Sequence, residues 1–158
     1  MLIKEIMETD IAECTDDTSL AEVYALIQSN SHRHVVVVDS IKHRVPIGIV
    51  TEHSICEKVV NEHCNTRDLE ARSVMSTQLL RVTETSPVTD CAHIIMNDSN
   101  AIVLIVDDRR RLRGVVEIGT FREACERQGG ARRTSAVFSG VPGNGSTAVE
   151  IMGLGWVK

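Results

Sequence analysis

Val35-Val36-Val37-Val38-Asp39 and Val103-Leu104-Ile105-Val106-Asp107 carry one pattern twice, at an offset of 68 residues. Each is a run of four aliphatic, mostly β-branched residues closed by an aspartate. A continuous apolar run of that length, bounded by a turn residue, reads as a strand buried on both faces. Two such runs at a fixed offset point to an internal repeat, which decides the architecture before any single element is placed.

The repeat extends outward from these strands in both directions. Upstream, Ile3-Lys-Glu-Ile-Met7 is echoed by Ala71-Arg-Ser-Val-Met75, Thr15 by Thr83, and Thr18-Ser19 by Ser86-Pro87, all at the same offset. Downstream, Gly48-Ile49-Val50 meets Gly114-Val115-Val116 at an offset of 66, two residues being absorbed in the loop Ser40–Pro46. Thr18 and Ser86 read as N-caps, with Pro87 at the first helical position, where its missing N–H costs nothing. A helix near 19–29 then places Leu20, Val23, Tyr24 and Ile27 on one face, and a helix near 87–97 does the same with Val88, Cys91, Ala92 and Ile95. Second strands follow at 46–50 and 112–116, and short helices at 52–61 and 119–127. The reading is an α/β (α+β) chain of two tandem β-α-β-β-α repeats. Residues 1–61 form the first repeat, 62–70 a polar linker, 71–127 the second repeat, and 128–158 a tail with seven of the ten glycines.

Composition sets the limits on function. The chain has 158 residues, 42 % of them hydrophobic, 25 % charged and only 3 % aromatic, so its core is aliphatic. A net charge of −5 gives no attraction for nucleic acid or an anionic membrane. No apolar run reaches the ~20 residues that span a bilayer, and Met1-Leu-Ile-Lys-Glu lacks the form of a signal peptide. Cys14, Cys56, Cys64, Cys91 and Cys125 are odd in number, scattered and without a C-x-x-C pair, which fits reduced thiols and a cytoplasmic protein.

With the opening I-x-x-I-M, the R-H-V-V-V-V-D of Arg33–Asp39 and the G-I-V-T of Gly48–Thr51, repeated in order, the chain resembles the CBS-domain family from residue 2 to about 126. The resemblance implies a regulatory module rather than an enzyme. It implies two repeats packed about a pseudo-twofold axis, pairs of which form homodimers that signal to a protein partner. It also implies inter-repeat clefts for adenine nucleotides: AMP, ADP, ATP, NAD or S-adenosylmethionine. In the family a glycine, two apolar residues, a Thr or Ser, two variable residues and an Asp form the cleft motif. The hydroxyl and a helix N-terminus receive phosphate, and the Asp takes the ribose hydroxyls.

This chain departs from that motif. The first repeat keeps Thr51 but has Ser54 in place of the Asp; the second has Glu117 for the hydroxyl and Thr120 for the Asp. A carboxylate at Glu117 repels phosphate, so the second cleft reads as degenerate. The first retains Thr51, with Arg33 and His34 as phosphate contacts, Ser54 as a weaker ribose partner, and Ile11, Ala12 and Val35 carried over as adenine contacts. Loss of a charged bidentate acceptor costs about 1–3 kcal/mol, or roughly ten- to a hundredfold in affinity. The missing Asp in both repeats supports a second expectation, a ligand-free dimerisation or interaction scaffold.

Other constellations are weaker. His32 and His34 share a strand face, and His53, Cys56, His63 and Cys64 are close in sequence, but none forms a paired metal-ligand element, so no metal site is expected. No nucleophile elbow, Walker loop or strand-associated G-x-G-x-x-G is present, and Gly143-Asn-Gly145 lies in the tail without that context. Arg109-Arg110-Arg111 with Arg113 reads as a solvated hairpin turn. In the tail, Arg132-Arg133-Thr134-Ser135 resembles a basophilic kinase site too short to carry weight. The Gly-rich tail reads as flexible chain by default, with the apolar pieces Ala136–Phe138 and Val149–Val157 as candidates to dock on the chain's own module, on another protomer or on a partner.

Overall fold

The computed structural model describes residues 1–63, 65–97 and 102–128, together with the backbone of 149–151 and 155–157. Two compact units result, and they cut across the sequence repeats. Asp10–Gln78 form one, and Met1–Thr9 with the chain from Leu79 onward form the other.

The Asp10–Gln78 unit contains β1 (Glu13–Thr15), α1 (Leu20–Ser29), β2 (His34–Val38), β3 (Pro46–Thr51), α2 (Glu52–Glu62) and the single turn α3 (Ala71–Val74). Its sheet has the order β1-β2-β3, parallel between β1 and β2 and antiparallel between β2 and β3. Val35–Val38 are fully buried, as the unbroken apolar run requires. Leu20, Val23 and Ile27 of α1 enter the core, packing with Cys14, Val35, Val50 and Ile55. Tyr24, expected on that face, is 41 % exposed; its phenol tip carries it to the edge of the apolar stripe.

The second unit repeats the plan with β4 (Leu80–Thr83), α4 (Val88–Asn97), β5 (Ile102–Val106), β6 (Leu112–Glu117) and α5 (Ile118–Gln128). Val88, Cys91, Ala92 and Ile95 are all buried, as the helical spacing predicts. Here the sheet has five strands, in the order β6-β5-β4-β7-β8, because β7 (Val149–Ile151) and β8 (Gly155–Val157) form a hairpin on the outer edge of β4. The tail is thus not wholly flexible chain: of the three destinations open to its apolar pieces, the strands Val149–Ile151 and Gly155–Val157 take the chain's own module. The tail motifs at 131–138 and 143–146 lie outside the described residues.

The glycine of each repeat is explained by close approach. A Cβ on Gly48 would lie 2.5 Å from the Met75 sulfur, and one on Gly114 would lie 2.7 Å from the Met7 sulfur and 2.9 Å from the Glu8 carbonyl oxygen. The methionine that opens one sequence repeat therefore packs on the glycine of the other. Backbone bridges hold the same exchange: Ser76 pairs with Ile49, and Glu8 with Val115.

Each buried strand ends in an aspartate that builds the following turn. Asp39 Oδ1 accepts the Val45 N–H at 2.9 Å, and Asp107 Oδ1 accepts the Arg109 and Arg111 N–H groups at 2.9 Å. Arg44 and Arg110 occupy left-handed backbone at matching places in these turns. The arginine turn is an ordered one: Arg111 pairs with Asp107 and Arg113 with Glu84.

The predicted caps shift by one residue. Ser19, not Thr18, caps α1 by accepting the Glu22 N–H, while the Thr18 hydroxyl accepts the N–H of Thr15. In the second repeat Ser86 pairs with the Thr83 hydroxyl at 2.6 Å, and α4 begins at Val88, after Pro87. Threonine and serine three apart close a turn between strand and helix, a local competitor of capping that helix periodicity does not reveal.

Candidate functional site

Thr51 ends β3 and is the N-cap of α2. Its hydroxyl oxygen accepts the Ser54 N–H at 3.1 Å, and Ser54 Oγ accepts the Thr51 N–H at 3.0 Å, a reciprocal capping box. Ser54 Oγ also donates to the Thr51 carbonyl at 2.8 Å. Both hydroxyls thus shape the helix start, and the serine that replaces the family's Asp is turned back onto the Thr51 backbone.

Arg33 sits against this helix start. Its carbonyl accepts the Glu52 N–H at 3.4 Å, and its guanidinium lies 3.9 Å from the Glu52 carboxylate, with the side chain 81 % exposed. At φ 53° it occupies the left-handed region, a conformation of order 1–3 kcal/mol above the usual one for a non-glycine residue. Glu52 was not singled out in the sequence, yet its type and place in the first helical turn signal an interaction with the helix dipole. Its negative charge offsets part of the attraction that Arg33 and the helix start offer an anion.

The remaining candidates divide between the core and a separate cavity. His34 stands opposite Thr51 in the β2–β3 register, is only 2 % exposed, and directs Nδ1 to the His32 carbonyl at 2.8 Å. That bond requires the Nδ1–H form of the ring. Val35 is wholly inside the core. Ile11 and Ala12 line a cavity of about 390 Å³ with Leu26, Ser29 and Asn30 at the far end of α1; Thr51 and Arg33 do not line it. Arg33, His34, Thr51 and Ser54 thus lie around the start of α2, while Ile11 and Ala12 line the cavity beside β1, where the Ala12 carbonyl accepts the Val36 N–H at 3.0 Å.

At the equivalent place in the other unit, Glu117 ends β6 with an exposed side chain, and Thr120 is half-buried in the first turn of α5. Burial pushes Cys14 up to about 11 and Cys91 to about 12, while Cys56 is exposed on α2. Among the described residues no three His, Cys, Asp or Glu side chains group as metal ligands, and no helix is long and apolar enough to cross a membrane.

Comparison with known proteins agrees with this architecture. Structurally the chain is similar to a CBS domain-containing protein of unknown function from Bacillus anthracis, with a TM-score of 0.69 and 10 % identity over 81 % of this chain and 94 % of that one. It is similar also to the CBS domain pair of protein MJ0100, in complex with 5′-methylthioadenosine and S-adenosyl-L-methionine, with a TM-score of 0.66 and 21 % identity over 81 % of this chain and 98 % of that one. In sequence it is 26 % identical over 114 residues to the uncharacterized protein MK0525 of Methanopyrus kandleri, covering 72 % of this chain but 57 % of that protein's length. The CBS-domain model matches residues 3–61 and again 71–127, the two repeats with their shared turn, strand and glycine pattern, and the chain belongs to the CBS-domain family.

Proposed function

We propose that the chain is a cytoplasmic regulatory module that binds an adenosyl ligand at the start of α2 and signals its occupancy to a protein partner. The observation that carries this reading is Arg33, exposed and held in left-handed backbone against the Thr51-capped helix start. An N-terminus with an adjacent cation is suited to an anionic group. Glu52 balances one positive charge there, which favours AMP or S-adenosylmethionine over ATP among the family's ligands. The MJ0100 pair, of the same fold, holds two adenosyl compounds. Regulation follows if the ligand prefers one of two states of the module, since only differential affinity shifts an equilibrium. The family is regulatory in general, and we assign the chain no catalysis.

A thermal-shift panel with AMP, ADP, ATP, NAD and S-adenosylmethionine tests this. Ligand at a hundred times its dissociation constant adds about 2.7 kcal/mol, several degrees for a chain of this size. Arg33→Ala is expected to abolish the shift at little cost to the free protein. Thr51→Ala lowers the ligand-free melting temperature by removing a cap, so its shift is read against its own baseline. A panel with no shift at millimolar concentration overturns the ligand reading.

The capping box supports a second reading. Because Ser54 is spent on the Thr51 backbone, the ribose side of the motif has no acceptor in the family's position. The module then serves as a homodimeric scaffold for a protein partner without a small ligand. Sedimentation that shows a monomer at every concentration would sink that alternative.

A further inference from the structure

The two sheets treat equivalent edges differently. On β4, β7 takes up the edge, with Glu150 directly opposite Arg81 in the register and Arg81 itself buried. Glu13 holds the corresponding place on β1, opposite Val36 where Arg81 is opposite Leu104. The Ala12 carbonyl accepts the Val36 N–H at 3.0 Å, so the N–H and C=O of Glu13 point away from β2. Thr15, the next residue along, has its N–H held by Thr18 at 3.2 Å. In the described sheet β1 is the end strand, and no strand covers this edge.

Beside that edge runs a groove of about 650 Å³ between β1 and α1. Cys14, Ala25, Leu26 and Ile41 line it, and Ile41 is 62 % exposed. Glu13 and Glu22 supply its carboxylates. Arg44 Nε reaches both oxygens of Glu13, at 3.0 and 3.2 Å.

We propose that the β1 edge docks an extended segment of a partner protein, antiparallel as β7 is on β4, with a lysine or arginine at its centre and aliphatic residues on either side. The twin edge supplies the geometry, since a strand is what covers it there. The pleat supplies the pattern: residues opposite Ala12 and Cys14 share the α1 face and its apolar groove, and the one between them shares the face of Glu13. Charge selects the occupant. In the backbone register Glu150 stands opposite Arg81 on β4, and a glutamate at the same register position on β1 would stand opposite Glu13, a like charge. The proposal goes beyond the ligand reading and does not depend on it.

The test uses the full chain and two fluorescein-labelled synthetic peptides that differ only at the centre, Val-Lys-Val against Val-Glu-Val, measured by anisotropy. The lysine peptide is expected to bind about three- to tenfold more tightly. Ile41→Asp should weaken both peptides, and Glu13→Pro, a residue an edge strand tolerates, should remove binding by deleting the outward N–H. Should Glu13→Pro fail to fold, the charge exchange Glu13→Arg with Arg44→Glu decides, because it keeps the internal ion pair and should reverse the preference. Equal affinities, no binding up to millimolar peptide, or an unreversed preference in the exchanged variant overturns the proposal. Concentration-dependent self-association that Ile41→Asp abolishes, with no peptide preference, also overturns it and gives the edge to a second copy.

Discussion

Helices α2 and α5 start from equivalent positions and are secured by different means. On α2 the start is polar, a Thr51–Ser54 capping box with Arg33 and Glu52 beside it, and Ile55 is the helix's buried residue. On α5 the corresponding positions hold the Glu117 carboxylate and the Thr120 hydroxyl, and the helix is anchored by Phe121 and Ala124. Phe121 stands where the first repeat has Ile55. One copy of the repeat keeps polar chemistry at its helix start; the other has exchanged it for apolar anchorage. The edges diverge in parallel, β4 being covered by a hairpin and β1 ending its sheet. Duplication leaves two copies free to diverge.

The largest test of that contrast is truncation of the anchors. Phe121→Ala is expected to destabilise by about 3–5 kcal/mol, and Ile55→Ala by about 2–4 kcal/mol, measured by urea denaturation. Equal losses would remove the claim that α5 leans more on its apolar anchor. Next come the two glycines. Gly114→Ala and Gly48→Ala should each cost about 1–3 kcal/mol by overpacking. Gly114 is expected to be the worse, because its new Cβ meets the Glu8 backbone as well as a methionine side chain. A reversed order would show that Met7 and its strand yield more readily than Met75.

A smaller effect tests the caps. Thr51→Ala should cost about 1 kcal/mol, whereas Glu117→Thr should be neutral or stabilising by a few tenths, as a better cap for α5. A loss at Glu117→Thr would mean that the glutamate serves its helix as it stands. The smallest effect is nil at neutral pH. Burial pushes the Cys14 and Cys91 thiols up to about 11 and about 12, above the ordinary thiol value of about 9. The folded state keeps protons that the unfolded chain loses above pH 9. The thiols' contribution is therefore complete below pH 9 and lost as pH rises through about 11 and 12. Denaturation midpoints should fall between pH 8.5 and 10.5, and less so in the Cys14→Ala, Cys91→Ala variant. In native labelling at neutral pH, Cys56 should react before either buried thiol.

Most of the fold was legible in the sequence. The buried strands, the helices and the core faces followed from periodicity, and the repeat fixed their order. The misplaced cap at Thr18 and the exposed Tyr24 arose where two local rules compete: a threonine closes a turn as readily as it caps a helix, and an aromatic with a polar tip suits a boundary as well as a core. Thr51 was found at the helix start because its motif is local. The role of Ser54 was not, since the sequence shows an acceptor missing but not that the replacement hydroxyl is bound to the Thr51 backbone. Glu52 was visible, but its significance depends on Arg33 reaching it from the turn before β2.

By itself the sequence determined the repeat, the type of the main elements within it and the loss of the paired aspartates, but not the two strands of the tail. These reside in residues near one another in the chain, where the 2- and 3.6-residue periods and the turn chemistry act. Only the tertiary structure decided that Met7 packs on Gly114 and Met75 on Gly48, that the distant hairpin covers β4, and that β1 remains an edge. Those pairings join segments far apart in sequence, and packing and backbone hydrogen bonding select the partner there, because any apolar strand of suitable length satisfies the local pattern.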